Sequence, residues 1–343
     1  MIHDTYVRET AMTRPVTIRD VARQANVSVA TVSRVISGSP VVAKATRDKV
    51  NGVLTKLSFE PNRLGQALAL KRHSAFALVL PGLGGPLFAG MLDGFESTLQ
   101  GTGMTLHVLV AQNEGLFPAQ LKDLATRVDG MCIFGSYPGD SLVSEVAARM
   151  PIVRVAGKPD TASHSVNVDN FEAARELTTH LIEIHELHNL LFLGDIARSP
   201  DVQQRYLGFQ RALVDGGIDE PDAIARCNLT QASGLAATTS ILSQTDRPQG
   251  LVCATDEVAV GAFLACNVAG VVIPRDITVT GFDNIDLASL VTPALTTVNQ
   301  PFEEIGARAA QILLRHAHQK PPAAPAENHR FAIELVVRHS CGC

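Results

Sequence analysis

The sequence predicts an α/β protein in which a small all-α helix-turn-helix head precedes a two-lobed core of parallel sheets flanked by helices. Three observations predict it. Residues 17–38 read as two short helices around a tight turn. Residues 14–72 carry eleven Lys or Arg against three acids, net +8 in a chain that is net −5, which leaves −13 for the remainder. From Phe76 onward, short apolar runs alternate with amphipathic segments, the pattern of βαβ units. A basic head on an acidic body is the electrostatic footprint of a nucleic-acid reader.

In the head, Thr17 is placed to cap a first helix whose apolar positions Ile18, Val21, Ala22 and Ala25 fall at helical spacing. Asn26 tolerates the left-handed conformation that ends a helix, Val27 anchors the turn, and Ser28 caps the second helix. Val32, Val35 and Ile36 form the inward stripe of that second helix. Val29, Ala30, Thr31, Ser33 and Arg34 are left on or near the other side. Short side chains let a backbone approach a major-groove floor, and hydroxyls and a guanidinium can bond base edges or phosphates. The same segment also fits a plain helical hairpin. Thr46 to Leu57 predicts a third helix with Val50, Val53, Leu54 and Leu57 on one face. Asn62 could then cap a short linker helix over 63–70, weakened by Gly65 by about 1 kcal/mol. That linker is expected to fold only against DNA and a symmetry mate.

The core is expected to hold one sheet from Phe76–Leu80, Thr105–Val110, Met131–Phe134 and Ile152–Val155, with helices near 88–101, 117–127 and 141–149. A second sheet is expected from Asn189–Leu193, Gly250–Cys253 and Ile277–Thr280, with helices near 170–184, 202–215, 231–243 and 256–269. A helix over Phe302–His316 and a final strand over Phe331–Val337 complete the chain. The expected organisation is a tail at 1–14, a head at 15–60, a hinge at 61–73 and a core at 74–343. Within the core, the N-lobe takes about 74–165 and 297–325, and the C-lobe about 166–296 and 326–343.

With 46% hydrophobic and 18% charged residues, the 343-residue chain has the make-up of a soluble α/β protein with a sizeable core. The first residues lack the apolar run of a signal peptide and no stretch is long enough to span a bilayer, so a cytoplasmic location is expected. Met12 is an alternative start. Six scattered cysteines fit reduced, buried usage. No second ligand pair at zinc spacing accompanies Cys341 and Cys343, so no metal site and no cofactor are expected.

An ordered set of motifs runs from residue 17 to Ser340. It comprises Ser28-x-Ala30-Thr31-Val32-Ser33-Arg34-Val35, Thr46-Arg47, Pro61-Asn62, Leu68, Val168-Asp169-Asn170, Arg205-x-x-Gly208-Phe209, Gly281-Phe282-Asp283, Pro293-x-Leu295-Thr296-Thr297 and Gln300-Pro301. By this set the chain resembles the LacI/GalR (lactose-repressor) family of bacterial transcription regulators. The resemblance implies a head that reads double-stranded operator DNA, a hinge helix, and a periplasmic-binding-protein-like (type I) core that forms a homodimer or a higher oligomer. It implies a small sugar-like or sugar-acid effector bound between the lobes.

Carried over by motif, Thr17, Ser28 and Asn62 fall among the DNA-binding positions. Val29, Ala30 and Arg34 meet bases, and Thr31 and Ser33 meet phosphates. Leu68 matches a leucine wedged into the minor groove, while packing as an ordinary core leucine is its alternative. Arg205 and Asp283 match effector contacts, although a purely structural ion pair would look the same in sequence. Phe88 could stack on a ring or simply pack in the core. Thr255 and Gln300 are further candidates on the same grounds.

The chain departs from the family at Gly82 and Gly85, which remove polar contacts from the loop after the first strand. It departs again at Ala156-Gly157, His185-Glu186, Gly65-Gln66 and Thr255. Ala43 stands where a serine usually caps the third helix, a loss of about 1 kcal/mol. A nucleotide-binding enzyme would start from the glycines after the first strand, but both G-x-G-x-x-G and a terminal G-K-[ST] are missing. No catalytic triad or paired-carboxylate arrangement can be assembled. The remaining alternative is a small-molecule-binding protein without operator binding.

Overall fold

The computed structural model describes residues 16–36, 39, 41–59, 73–111, 115–135, 139–157, 160–197, 199–218, 223–317 and 325–343. Its contacts divide the chain into Met1–His73 and Ser74–Cys343. The expected tail at 1–14, and the hinge with Asn62 and Leu68, lie outside the described residues.

The first unit contains α1 (Ile18–Ala25), α2 (Val29–Ile36) and α3 (Lys44–Lys56). Val21, Ala25, Val32 and Val50 are fully buried and draw Val27, Ile36, Val53, Leu54 and Leu57 around them. Asn26 ends α1 at φ +50°, and its N–H reaches back to the carbonyls of Ala22 and Arg23, which closes the tight turn. α3 starts two residues earlier than its apolar stripe predicts. Its N-cap is Ala43, which offers no side-chain acceptor to the first helical N–H groups.

The second unit opens with β1 (Ala75–Leu80), α4 (Pro86–Leu99), β2 (Thr105–Val110), α5 (Phe117–Leu124), β3 (Met131–Phe134), α6 (Asp140–Ala147), β4 (Ile152–Val155) and β5 (His164–Val168). These strands and β11 (Asn328–Phe331) make a six-stranded parallel sheet in the order β11-β5-β4-β3-β1-β2. All six residues of β1 are buried, as a central strand covered on both faces requires.

α7 (Asn170–His185) leads into the second lobe. There β6 (Leu190–Leu193), α8 (Pro200–Asp215), β7 (Ile224–Ala225), α9 (Gln231–Leu242), β8 (Gly250–Cys253), α10 (Asp256–Ala269) and β9 (Thr278–Thr280) form a four-stranded parallel sheet in the order β7-β6-β8-β9. After α11 (Asp286–Leu290) come β10 (Thr297–Asn299), α12 (Phe302–His316), β11 and β12 (Glu334–Val336). β10 and β12 pair antiparallel.

Two expectations are corrected. The final strand is not one run over 331–337 but two strands in different sheets. The lobe boundaries shift accordingly. Segment 164–168 belongs to the first sheet, Thr296 and Asn299 bridge to Thr280 of β9 and to Asp283 in the second lobe, and 328–331 returns to the first sheet. The chain therefore passes between the lobes three times. β5, His-Ser-Val-Asn-Val, carries no apolar run because its polar side chains are satisfied internally, with Ser165 donating to Asn328 Oδ1 at 2.8 Å.

Close helix contacts depend on absent side chains. A Cβ at Gly208 in α8 would lie 2.2 Å from the Phe171 carbonyl of α7, and one at Gly261 in α10 would lie 2.2 Å from the Gln231 carbonyl of α9. Among the described residues, no helix is long and apolar enough to cross a membrane.

Candidate functional site

The recognition face forms as the residue spacing requires. Val32 and Val35 are buried, while Val29, Ala30, Ser33 and Arg34 are exposed on one side of α2. Thr31 is half-buried: its N–H donates to Ser28 Oγ at 3.1 Å, and the two hydroxyls lie 2.9 Å apart. Ser28 is thus the cap of α2. Thr17 is likewise committed to capping, because the Asp20 carboxylate accepts both its N–H (3.0 Å) and its hydroxyl (2.6 Å). That leaves Val29, Ala30, Ser33 and Arg34 as the outward set, three short side chains and one guanidinium on a narrow helix face.

In the second unit, both sheets are parallel and aim the carboxyl ends of their strands at one cleft, where open α/β sheets bind ligands. The cavity there measures about 470 Å³, within the usual range for small-molecule sites. Phe88, Arg205, Thr255, Asp283 and Gln300 all line it, so the structure brings the five candidates together.

Its two walls differ. Among the described residues, the first lobe supplies Leu87, Phe88, Met91, Phe134, Val155 and Val166, and of its polar side chains Asn167. Phe88 and Phe134 meet edge to face, with ring centroids 5.2 Å apart. Gly84 and Gly85 line the same side without polar side chains.

The second lobe supplies the polar groups. Arg205 is 5% exposed; its Nε donates to Asn170 Oδ1 at 2.8 Å, and its Nη1 donates to the Ala254 carbonyl and to Asp283 Oδ1, the latter at 3.4 Å. Its guanidinium lies 3.7 Å over the Phe282 ring. Gln300 Nε2 also donates to Asp283 Oδ1.

The Gly281-Phe282-Asp283 run has a separate physical reason at each position. Residue 281 must lack a Cβ, which would fall 2.1 Å from Asp256 Oδ1. Phe282 is the platform for Arg205. Asp283 holds φ +124°, its N–H bonded to the Val298 carbonyl and its own carbonyl accepting from Gln300 N–H, so a strained backbone fixes where the carboxyl points.

Burial pushes the Asp283 carboxyl up to about 7, against the downward pull of Arg205 and Gln300 and with a further push from Asp256. Burial also raises Asp256, although Thr297 Oγ1 (2.6 Å) and Ile285 N–H (2.9 Å) donate to it. Asp201, on the same cavity wall, is raised by burial and opposed by Arg205 and Asn170. Thr255 contributes chiefly as the cap of α10, accepting from Val258 N–H at 3.3 Å.

The sequence reading missed Asp201, Asn167, Phe134, Glu257 and the anchoring role of Asn170. Asp201 stands four residues before Arg205 on one helix face, a signal that could have found it. Phe134 ends a predicted strand and therefore faces the cleft. Asn167 sits on β5, which had no strand signature. A different gathering lies at the chain's end, where His180, His185, Cys341 and Cys343 converge. In space, though not at zinc spacing in the sequence, two histidines accompany the two cysteines across about 160 residues.

Residues 17–62 match the family model for bacterial regulatory proteins of the lacI family, and residues 179–341 match a periplasmic binding protein-like domain. The chain is 31% identical to catabolite control protein A of Staphylococcus xylosus over 314 residues, 89% of this chain and 93% of that protein. It is 32% identical to the HTH-type transcriptional repressor PurR of Pectobacterium atrosepticum, over 93% and 95% of the two chains. Among solved structures, the lac repressor dimer bound to operator and the anti-inducer ONPF is similar with a TM-score of 0.83, at 25% identity over 96% of this chain and 99% of that one. The transcriptional regulator CelR in complex with cellobiose is similar with a TM-score of 0.72, at 26% identity over 95% of this chain and all of that one. These relatives are transcriptional regulators, which removes the nucleotide-binding enzyme reading. The chain belongs to the lacI family of bacterial regulatory proteins, as a DNA-binding transcriptional regulator with a ligand-binding core.

Proposed function

We propose that this regulator is a cytoplasmic repressor that binds operator DNA as a homodimer and releases or tightens on it when a small polyhydroxylated molecule, a sugar or sugar acid, occupies the interlobe cleft. The observation that carries this reading is the division of the cleft into an apolar wall and a polar one. A pyranose has hydroxyls around its edge and C–H groups on its faces. Its hydroxyls suit Asp283, Arg205 and Gln300, and a carbon face suits the Phe88–Phe134 pair. A sugar acid places its carboxylate toward Arg205. The sugar complexes of similar regulators support the class, and the operator-bound lac repressor dimer supports the assembly. Val29 and Ala30 present apolar surface suited to a thymine methyl, while Arg34 carries a donor fork for a guanine edge or a phosphate.

Ligand and operator communicate through a coupling free energy of about 1–3 kcal/mol, a shift of roughly 5–150-fold in either affinity. The test is calorimetric titration of neutral sugars, sugar acids and nucleobases into the full-length protein, repeated with Asp283→Asn, followed by operator titration with and without the best binder. The proposal predicts a saccharide that binds one per chain, loses affinity in the variant and moves the operator affinity. A nucleobase binding in place of every saccharide, or a saccharide with no effect on operator affinity, contradicts it.

A further inference from the structure

We propose that the C-terminal Cys-Gly-Cys and the end of α7 form a structural Zn²⁺ site, with Cys341, Cys343, His180 and His185 as its four ligands. The ligand atoms of these four residues all lie within 4.8 Å of one another. Cys343 Sγ is 3.3 Å from His185 Nε2 and 3.6 Å from His180 Nε2. Zinc bonds of about 2.3 Å to sulfur and 2.0–2.1 Å to nitrogen, at tetrahedral angles, set the sulfur–nitrogen edge at about 3.6 Å. The apposition is therefore already of coordination size.

Both halves of the site are held by the surrounding structure. The two histidines have the His-x4-His spacing common in structural zinc sites and sit at the C-terminal end of α7, their rings 5.1 Å apart at 74°. The tail is fixed just ahead of its cysteines. Ser340 is fully buried, donates to the Val279 carbonyl at 2.6 Å and accepts from Thr296 N–H at 2.8 Å. Cys341 is 2% exposed. Gly342 then turns the chain at φ +112°, and a Cβ there would press within 3.3 Å of His185 Nδ1. The glycine thus lets the tail fold back so that the Cys343 sulfur reaches both imidazoles.

The polar surroundings of Cys341 fit a thiolate. Thr296 Oγ1 donates to its sulfur at 3.2 Å and is itself held by Arg338 N–H at 2.9 Å, an outer-shell donor of the kind that steadies metal-bound sulfur. The thiol proton that now points to the Arg338 carbonyl at 3.3 Å leaves on metal binding. Zn²⁺ displaces one proton from each cysteine, so the tetrahedral centre is neutral and no electrons are transferred. Four protein ligands leave no open position, which makes the site a staple between α7 and the tail rather than a reaction centre.

The test uses full-length protein purified under reducing conditions from zinc-supplemented culture without chelator. Elemental analysis is expected to find about one zinc per chain. After zinc removal, Co²⁺ is expected to titrate one to one, with thiolate-to-cobalt charge-transfer absorption and the strong visible bands of tetrahedral cobalt. Cys343→Ala and His185→Ala should each weaken Co²⁺ binding at least about tenfold, since even outer-shell changes weaken metal sites about 10–100-fold. His188→Ala, exposed on the adjoining turn, should bind as the parent does.

Circular dichroism checks that each variant is folded, and Cys343 is exposed, outside the buried core. A chain that carries no zinc and gives no thiolate charge-transfer band under reductant overturns the proposal. So does cobalt binding of undiminished affinity in Cys343→Ala, because the Cys343 sulfur would then not be a ligand.

Discussion

Replacing Arg205 by alanine should destabilise the core by about 2–4 kcal/mol at pH 8 and by about 1 kcal/mol less at pH 6. The guanidinium satisfies Asn170 Oδ1, the Ala254 carbonyl and Asp283 Oδ1 while stacking on Phe282. Removing one partner of a buried pair strands a charge, which the variant escapes by protonating the carboxyl, so the pH-dependent part of the loss is at most about 1.4 kcal/mol per pH unit above the parent's folded value. That penalty requires Asp283 to be ionised. Burial has raised its carboxyl from an unfolded value of about 3.9 to about 7. The stability it contributes is full below the unfolded value and is lost as pH rises through about 7. Arg205 holds that folded value down, so its removal lifts it further and extends the loss to higher pH. At pH 6 the carboxyl is protonated with or without Arg205. What remains is the lost bonds to Asn170 and Ala254 and the lost stacking, on the order of 1–3 kcal/mol. Urea unfolding of the full chain by far-ultraviolet circular dichroism, at both pH values, reads the difference. Arg205→Ala/Asp283→Asn should show no such pH dependence. Equal destabilisation at pH 6 and 8, or less than about 1 kcal/mol at pH 8, would refute the assignment of a buried, burial-raised carboxyl at this position.

Effector binding should weaken about tenfold from pH 8 to pH 6 if ligand hydroxyls donate to ionised Asp283, since a group titrating near 7 changes its ionised fraction by about that factor; calorimetry should find this dependence gone in Asp283→Asn. Gly261→Ala should lower stability by about 1–3 kcal/mol or more, because its methyl would meet the Gln231 carbonyl 2.2 Å away and force α9 and α10 apart; an unchanged melting curve would deny that close contact. Ala43→Ser should raise head stability by about 1 kcal/mol by capping α3, read by thermal melting, with no change expected in effector affinity. Leu68→Ala should lessen operator bending in a gel-mobility assay while leaving effector binding intact, and equal bending would assign Leu68 an ordinary packing role.

Elements with one dominant signal were legible in the sequence. β1 and β3 are continuous apolar runs, α7 and α12 have clean helical periodicity, and each lies within two residues of its expected bounds. The elements that escaped are those whose stability is tertiary. β5 buries serine and histidine and half-buries asparagine beside β11, β7 has two residues, and β10 and β12 are short strands that pair with each other. No local pattern encodes such pairings, because their hydrogen bonds are made across more than thirty residues of sequence. The cleft followed the same division. Arg205 and Asp283 stood in recognisable runs, whereas Asn167 depended on an unseen strand and Asn170 matters through its bond to a side chain 35 residues away. The Cys and His cluster was invisible for the same reason, although the His-x4-His spacing was present in α7.

The proposed repressor function requires α2 to read duplex sequence. Fragments captured from a genomic DNA library by the full-length protein, then titrated against scrambled duplexes across a range of salt concentrations, test it most directly. A captured sequence should bind about 10³-fold or more tightly than its scrambled version, with log affinity falling linearly against log salt and with Arg34→Ala erasing most of the preference. Equal affinity for captured and scrambled duplexes at every salt concentration would contradict it.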